Sequence, residues 1–246
     1  MTQPPPALVA VSHGTSSPEG RAAVRGLYDA VAAAAAERWP DAVPETRLCH
    51  VDVEQPDVPA TFATLPAGEP AVIVPLLLSA GYHVHVDLAR AAADARAGGR
   101  EVAVADALGP DDRLIDVLRR RLAEAGARET DPVVLVVAGS SDARAVAACR
   151  SVRDAMAAAS VADVSIGFLS AAAPSVPDAI AAARRAGGDG ARVAAASYLL
   201  APGYFQDLAA GAAPDVLAAP LLRPDDTPGE LVEIVLDRYA ASVSAF

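Results

Sequence analysis

The chain has 246 residues, a length that allows one large domain or two of ordinary size. Its net charge of −11 argues against a nucleic-acid partner, which would need a basic face, and against docking on an anionic membrane surface. No apolar run reaches the ~18 residues of a membrane span, and the N-terminus lacks the features of a signal peptide. We therefore expect a cytoplasmic monomer with no nucleic-acid or membrane partner. The widely separated Cys49 and Cys149 are expected to be structural thiols in a reducing compartment.

The first half of the sequence alternates apolar, strand-like runs with alanine-rich helical segments. Four strand–helix pairs follow one another, which predicts a parallel sheet with helices on both faces. The predicted strands cover residues 8–12, 46–53, 71–78 and 101–105, and the predicted helices cover residues 18–39, 56–65, 86–97 and 111–125.

The same pattern starts again after residue 131. Strands are predicted at 132–137, 163–169, 192–200 and 216–221, with helices at 143–159, from residue 174, and at 227–241. A period of about 120 residues is too long for a solenoid and indicates an internal duplication. The sequence therefore predicts two similar α/β domains, residues 1–128 and 129–246. Each is predicted to be a parallel four-stranded sheet flanked by helices, and the two face each other across a cleft.

Histidines follow two of the predicted strands. His13 comes directly after the first strand, and His83 and His85 follow the third, ahead of Asp87. In open α/β sheets, ligands bind just beyond the carboxyl ends of the strands. Imidazole and carboxylate suit divalent iron, cobalt, nickel or zinc, and no HExxH or CxxC motif marks a permanently held ion. A site with few ligands beside an open cleft suits a metal that is released.

The duplication shows where the two halves differ. Three candidate ligands of the first half correspond to residues of another kind in the second: His13, Asp52 and His83 correspond to Ala138, Ser170 and Phe205. The small and turn-forming residues around them keep their counterparts. We therefore expect the first half to hold the chemistry and the second half to form the opposing wall.

Two motifs resemble the signatures of a known family. The segment VSHGTS around His13, and the segment PLLLSAGYH that ends at His83 and continues to Asp87, resemble those of the class II tetrapyrrole chelatases. These are the sirohydrochlorin chelatases of the CbiX/SirB type, here in the long two-half form. Thr15 departs from the usual serine, and the basic residue common after this motif is absent until Arg21.

The resemblance implies a lyase that inserts Co²⁺, Fe²⁺ or Ni²⁺, as a substrate, into a tetrapyrrole for cobalamin or siroheme biosynthesis. It implies no permanently bound cofactor. His13 and His83 fall on the family's active-site histidines, as catalytic residues and metal ligands. Asp52 falls where the family often has an acidic residue and would complete the metal site.

Several alternatives stay open from the sequence. The protein could be a metal or tetrapyrrole carrier without turnover, or its ring could be closer to protoporphyrin. A polycarboxylate ring should meet arginines in the cleft, whereas an apolar porphyrin should meet mostly Leu, Phe and Tyr. Structural roles are the alternatives for single residues: His13 in a turn, His50 packed within its strand or at the surface, and Asp52 at a strand end. Asp87 is expected to cap the helix that follows it.

Overall fold

Strands and helices alternate along the whole chain of the computed structural model, which describes residues 4–79, 82–188, 190–244 and 246. The side chains of residues 82–85 lie outside this description. Within the described residues the strands form two parallel four-stranded sheets, with strand orders β2-β1-β3-β4 and β6-β5-β7-β8. This confirms the predicted fold of two similar α/β halves.

The first half contains β1 (Ala7–Ser12), α1 (Pro18–Arg38), β2 (Thr46–His50), α2 (Val58–Thr64), β3 (Ala71–Pro75), α3 (Tyr82–Ala97), β4 (Val102–Val104) and α4 (Asp112–Glu124). The second half contains β5 (Val133–Val137), α5 (Ala143–Ala158), β6 (Val164–Phe168), α6 (Val176–Gly187), β7 (Ala194–Tyr198), α7 (Tyr204–Gly211), β8 (Val216–Leu217) and α8 (Gly229–Val243).

Both faces of each central strand are covered, as a parallel sheet requires. All six residues of β1 are buried, and alternate residues belong to different cores. Leu8 and Ala10 join a large core that contains residues of both halves. Val9 and Val11 face a smaller core formed with α2 and α3. The helices α1, α4, α5 and α8 contribute to the large core, so they lie between the two sheets.

The last helix of each half packs against the sheet of the other half. Helix α4 contacts β7, and helix α8 contacts β3. The hydroxyl of Tyr239 on α8 donates to the carbonyl of Pro6 at 2.6 Å. The fully buried Arg121 on α4 donates to the carbonyl of Leu221 at 2.8 Å. The predicted division at residue 128 falls between α4 and β5. The two halves are nevertheless joined, because α4 and α8 each pack against the sheet of the other half.

Helices α2 and α6, which correspond in the two halves, are each preceded by a residue whose side chain caps the helix. Asp57 caps α2 by accepting from the backbone N–H of Ala60, and Ser175 caps α6 by accepting from that of Asp178. Helix α3, in contrast, begins at Tyr82 rather than at residue 86. Asp87 therefore lies inside the helix, and the prediction that it caps this helix was wrong.

Further differences from the predictions concern element boundaries and one helix. Strand β2 ends at His50 rather than at residue 53, and β3 ends at Pro75 rather than at residue 78. Helix α7 was not predicted at all, because its eight residues look like a turn followed by a short apolar segment. Among the described helices, none combines the length and apolarity needed to cross a lipid bilayer.

Candidate functional site between the two halves

A cavity of about 630 Å³ lies at the carboxyl ends of the central strands of both sheets. This is where open α/β sheets bind ligands, and the volume lies in the range of small-molecule sites. Most of its wall comes from the segments that follow β1, β3, β5 and β7, namely residues 12–16, 76–79, 137–140 and 198–205. The predicted cleft between the halves is therefore present, and both halves build it.

The wall of this cavity is mainly apolar. Among the described residues that line it, none is Asp, Glu, Lys or Arg, and His13 is the one imidazole. Hydroxyl groups come from short loops, including those of Thr15, Ser79 and Ser140. The described wall can thus present one imidazole and several neutral hydrogen-bonding groups to a largely apolar ligand.

His13 is exposed at the end of β1, on a loop that packs backbone against backbone. Gly14, the next residue, has a φ of +92°, and a Cβ there would lie 1.9 Å from the carbonyl oxygen of Asp52. The carbonyl of His13 accepts from the backbone N–H of Asp52 at 2.9 Å. Only glycine permits this close approach of two loops, which fixes the backbone of His13 at the cavity.

Asp52 is exposed and lies next to this loop, in a tight turn after β2. Its Oδ1 accepts from the backbone N–H of Val53 at 2.7 Å, and its carbonyl accepts from that of Glu54 at 2.7 Å. The lining of the cavity includes Val53 but not Asp52. No group of three metal-binding side chains occurs among the described residues, and the side chain of His83 lies outside them. The predicted set His13, His83 and Asp52 therefore stays a prediction.

A buried polar pair lies directly behind the His13 loop. The Oγ of Ser12 lies 2.7 Å from Nδ1 of His50, and a carboxylate oxygen of Glu54 lies 3.8 Å from the same nitrogen. Glu54 also accepts from the backbone N–H of Thr15 at 2.8 Å. Burial lowers the pKa of His50, although the charge of Glu54 opposes this, so the imidazole is held neutral. The sequence left open whether His50 is packed or at the surface; it is buried, and its hydrogen bond with Ser12 was not predicted.

The second half repeats the backbone of this site with other side chains. Gly139 has a φ of +95°, and a Cβ there would lie 1.9 Å from the carbonyl oxygen of Ser170. Ser170 donates its backbone N–H to the carbonyl of Ala138 at 2.9 Å. Val137 and Phe168 are paired in the register that Ser12 and His50 occupy in the first half. The structure thus supports the predicted correspondence of the two halves.

Two further polar side chains lie on the cavity wall. Burial raises the pKa of the Cys149 thiol, so it stays protonated at neutral pH. Burial also raises the pKa of Tyr198, whose hydroxyl donates to the carbonyl of Leu78 at 3.3 Å. This hydrogen bond joins β7 to the segment that follows β3. Both cysteines are free and buried, as expected for structural thiols.

The family model described as CbiX matches residues 7–125 and again residues 132–210. The chain belongs to the CbiX family. The model matches once in each half, in agreement with the internal duplication. No curated protein sequence matches the chain significantly.

Solved structures with the same fold cover nearly the whole chain. SirB from Bacillus subtilis with Fe³⁺ shares 19% identity at a TM-score of 0.77, covering 98% of this chain and 96% of that one. The sirohydrochlorin chelatase SirB from Bacillus subtilis subspecies spizizenii, in complex with cobalt, shares 15% identity at a TM-score of 0.71, with the same coverage. CbiX, the terminal enzyme for biosynthesis of siroheme in denitrifying bacteria, shares 18% identity at a TM-score of 0.60, covering 94% and 98%. At these identities the likeness establishes the fold.

Proposed function

We propose that this protein is a sirohydrochlorin chelatase, which inserts Co²⁺ or Fe²⁺ into a tetrapyrrole for cobalamin or siroheme biosynthesis. The observation that carries the proposal is the position of His13, an exposed imidazole at the end of β1 in the cavity between the halves of a CbiX-family chain. Two solved structures of the same fold hold iron or cobalt, and one of them is a sirohydrochlorin chelatase.

The proposed chemistry needs a metal-holding group and a proton acceptor on one face of the ring. A tetrapyrrole loses its pyrrole N–H protons as the metal enters, and neutral imidazole can bind the ion or accept a proton. In the proposed site His13 and His83 hold the ion first and accept the pyrrole protons once the ion has moved into the ring, and Asp52 completes the ligand set or orients a histidine. Most of the rate gain would come from holding the metal and the macrocycle together in one cavity.

The apolar wall favours a second candidate substrate, a less acidic, porphyrin-like ring. Sirohydrochlorin is a polycarboxylate, and no arginine lies among the described residues that line the cavity. Arg21 lies close by, because its Nε donates to the carbonyl of Thr15 at 2.9 Å, and its side chain is half exposed. Arg21 also pairs with Glu54, with its Nε 3.3 Å from a carboxylate oxygen. We expect a carboxylate of the ring to extend from the apolar cavity towards Arg21, and a porphyrin-like ring not to need it.

An absorbance assay with purified protein tests the proposal. Sirohydrochlorin is mixed with Co²⁺ or Fe²⁺, and a porphyrin is assayed in parallel with the same ions. We expect acceleration with sirohydrochlorin over the uncatalysed rate, and little acceleration with the His13→Ala variant. Ring binding without acceleration would identify a carrier, and acceleration with the porphyrin alone would identify the second substrate.

A further inference from the structure

Val53 holds a backbone conformation that its side chain disfavours. Its φ is +66°, in the left-handed region where a β-branched residue is a rare outlier. A hydrogen bond from the backbone N–H of Glu54 to the carbonyl of Asp52, at 2.7 Å, spans this residue. The carboxylate of Asp52 also accepts a hydrogen bond from the backbone N–H of Val53. This hydrogen-bonded pattern is that of a γ-turn with positive φ, which is strained.

The side chain of Val53 contributes little to the stability of the fold, although its backbone conformation is strained. Val53 is 56% exposed, so its isopropyl group is not part of a core. Glycine at this position would adopt the same φ without strain. Strained residues that packing does not explain are concentrated at functional sites, and the strained position here borders the cavity.

The second half provides an internal comparison. Ala171 corresponds to Val53 and has a φ of +56°, so the left-handed turn belongs to the shared scaffold. Ala171 is exposed and is absent from the described lining of the cavity. The turn therefore occurs in both halves, but only the first half places a branched apolar side chain on it at the cavity wall.

The wall contributed by the second half is apolar as well. Tyr204 and Phe205, at the start of α7, line the same cavity and are 69% and 37% exposed. Exposed apolar groups on two walls of one cavity suit a flat, apolar ligand that both walls contact. On the basis of the proposed function, we propose that Val53 is a substrate-contacting residue. Its isopropyl group packs against the tetrapyrrole next to Asp52 and sets the position of the ring in the cavity.

Substitutions at the two corresponding positions test this inference. Val53→Gly removes the contact and relieves the strain, and Ala171→Gly relieves the equivalent strain away from the cavity. Val53→Asn keeps a side chain that tolerates positive φ but replaces the apolar surface with a polar one. Binding of metal-free sirohydrochlorin is measured by absorbance or fluorescence titration, and thermal unfolding by circular dichroism.

We expect Val53→Gly to raise the Kd for the ring about tenfold, because it removes one buried branched side chain from the contact. Its unfolding midpoint should be equal to or higher than that of the parent protein. Val53→Asn should weaken binding similarly. Ala171→Gly should match the effect of Val53→Gly on the unfolding midpoint and leave the Kd unchanged.

Two outcomes would overturn the inference: a Val53→Gly variant that binds the ring like the parent, or one that loses ring binding only together with thermal stability. Because this titration needs no turnover, it separates the inference from the proposed function. A parent protein that binds the ring through Val53 but does not accelerate metal insertion would refute the chelatase proposal and leave the contact intact.

Discussion

The loop after β1 and the loop after β5 follow the same backbone path and carry different chemistry. In both, a glycine with positive φ approaches a carbonyl of the neighbouring loop at a distance that leaves no room for a Cβ. In the first half the preceding residue is His13, and in the second it is Ala138. Backbone constraints thus maintain the scaffold of both halves, whereas the side chains on it are free to differ. A duplicated fold can in this way provide one reactive wall and one passive wall.

The largest effects on chelation are expected from substitution of the two histidines that only the first half carries. His13→Ala and His83→Ala should each lower kcat/KM for chelation about 100-fold or more, because even outer partners of metal ligands typically contribute about 10- to 100-fold. His13 is exposed, so the unfolding midpoint of its variant should stay close to that of the parent. Chelation is followed by absorbance and folding by circular dichroism.

Ser170→Ala, at the second-half position that corresponds to Asp52, is the matched control and should keep full activity. If His83→Ala chelates almost normally while a well-folded Phe205→Ala variant is inactive, the metal site lies in the second half and this comparison fails.

The shared scaffold is tested by adding a methyl group to each of the two glycines that lie close to a carbonyl of the neighbouring loop. Gly14→Ala and Gly139→Ala should destabilise the protein by similar amounts, about 2–4 kcal/mol, since each new Cβ meets a backbone carbonyl in a left-handed conformation. Urea unfolding gives the two free energies. Gly14→Ala should also lower chelation in the fraction that stays folded, because it displaces the backbone of His13. A destabilisation in one half alone would show that the two loops do not bear the same constraint.

The passive wall should contribute to ring binding but not to metal binding. Phe205→Ala removes apolar surface from the cavity and should weaken binding of metal-free ring by about 1–3 kcal/mol. Leu208→Ala is the matched control, because Leu208 has the same 37% exposure on the same helix but is not among the residues that line the cavity. Equal losses of ring affinity in the two variants would contradict a specific role for Phe205. The measurement is a fluorescence titration with the metal-free ring.

The smallest expected effect concerns the buried pair behind His13. The double variant Ser12→Val, His50→Phe gives the first half the apolar pair that the second half has at Val137 and Phe168. Burial lowers the pKa of His50 in the folded state, so the unfolded state binds its proton first as the pH falls. The parent should therefore lose stability as the pH falls through ~6.5, the pKa of an unfolded histidine, towards the lower folded value.

The double variant should lose less stability over this pH window. Urea unfolding midpoints of both proteins are measured at pH 8 and at pH 5. If the midpoint changes equally in the two proteins between these pH values, His50 is not the group responsible. Carboxylates with a lowered pKa, such as Asp111 and Asp226, affect stability at a more acidic pH. Their contribution to folding stability is lost only as the pH falls through their pKa in the folded state.

The sequence predicted the architecture well because apolar periodicity and the duplication both constrain it. Parallel sheets buried on two faces give strong apolar runs, and the repeat fixed which runs correspond. The turn at Val53 and the start of α3 at Tyr82 were not predictable in the same way. The left-handed turn carries a valine rather than the glycine that would signal it, and the sequence signal for the helix was placed at Asp87, a full turn beyond the start of α3.

The candidate site was predictable only in part. Strand-end positions and the difference between the halves pointed to His13 and to the cavity. The partnership of Ser12 with His50 depends on the register of β1 and β2, which the sequence does not specify. One signal was present nonetheless, since His50 corresponds to the apolar Phe168 in the other half.

The exchange of α4 and α8 between the halves has a consequence for how the chain matures during translation. The inner face of β3 is packed by α8, which is the last helix of the described chain to be synthesised. An N-terminal half emerging from the ribosome therefore keeps part of its apolar sheet uncovered until residues 229–243 have left the exit tunnel. Folding of the half that holds His13 is completed by the end of the other half, so the cavity wall that carries His13 forms only when the second half is complete.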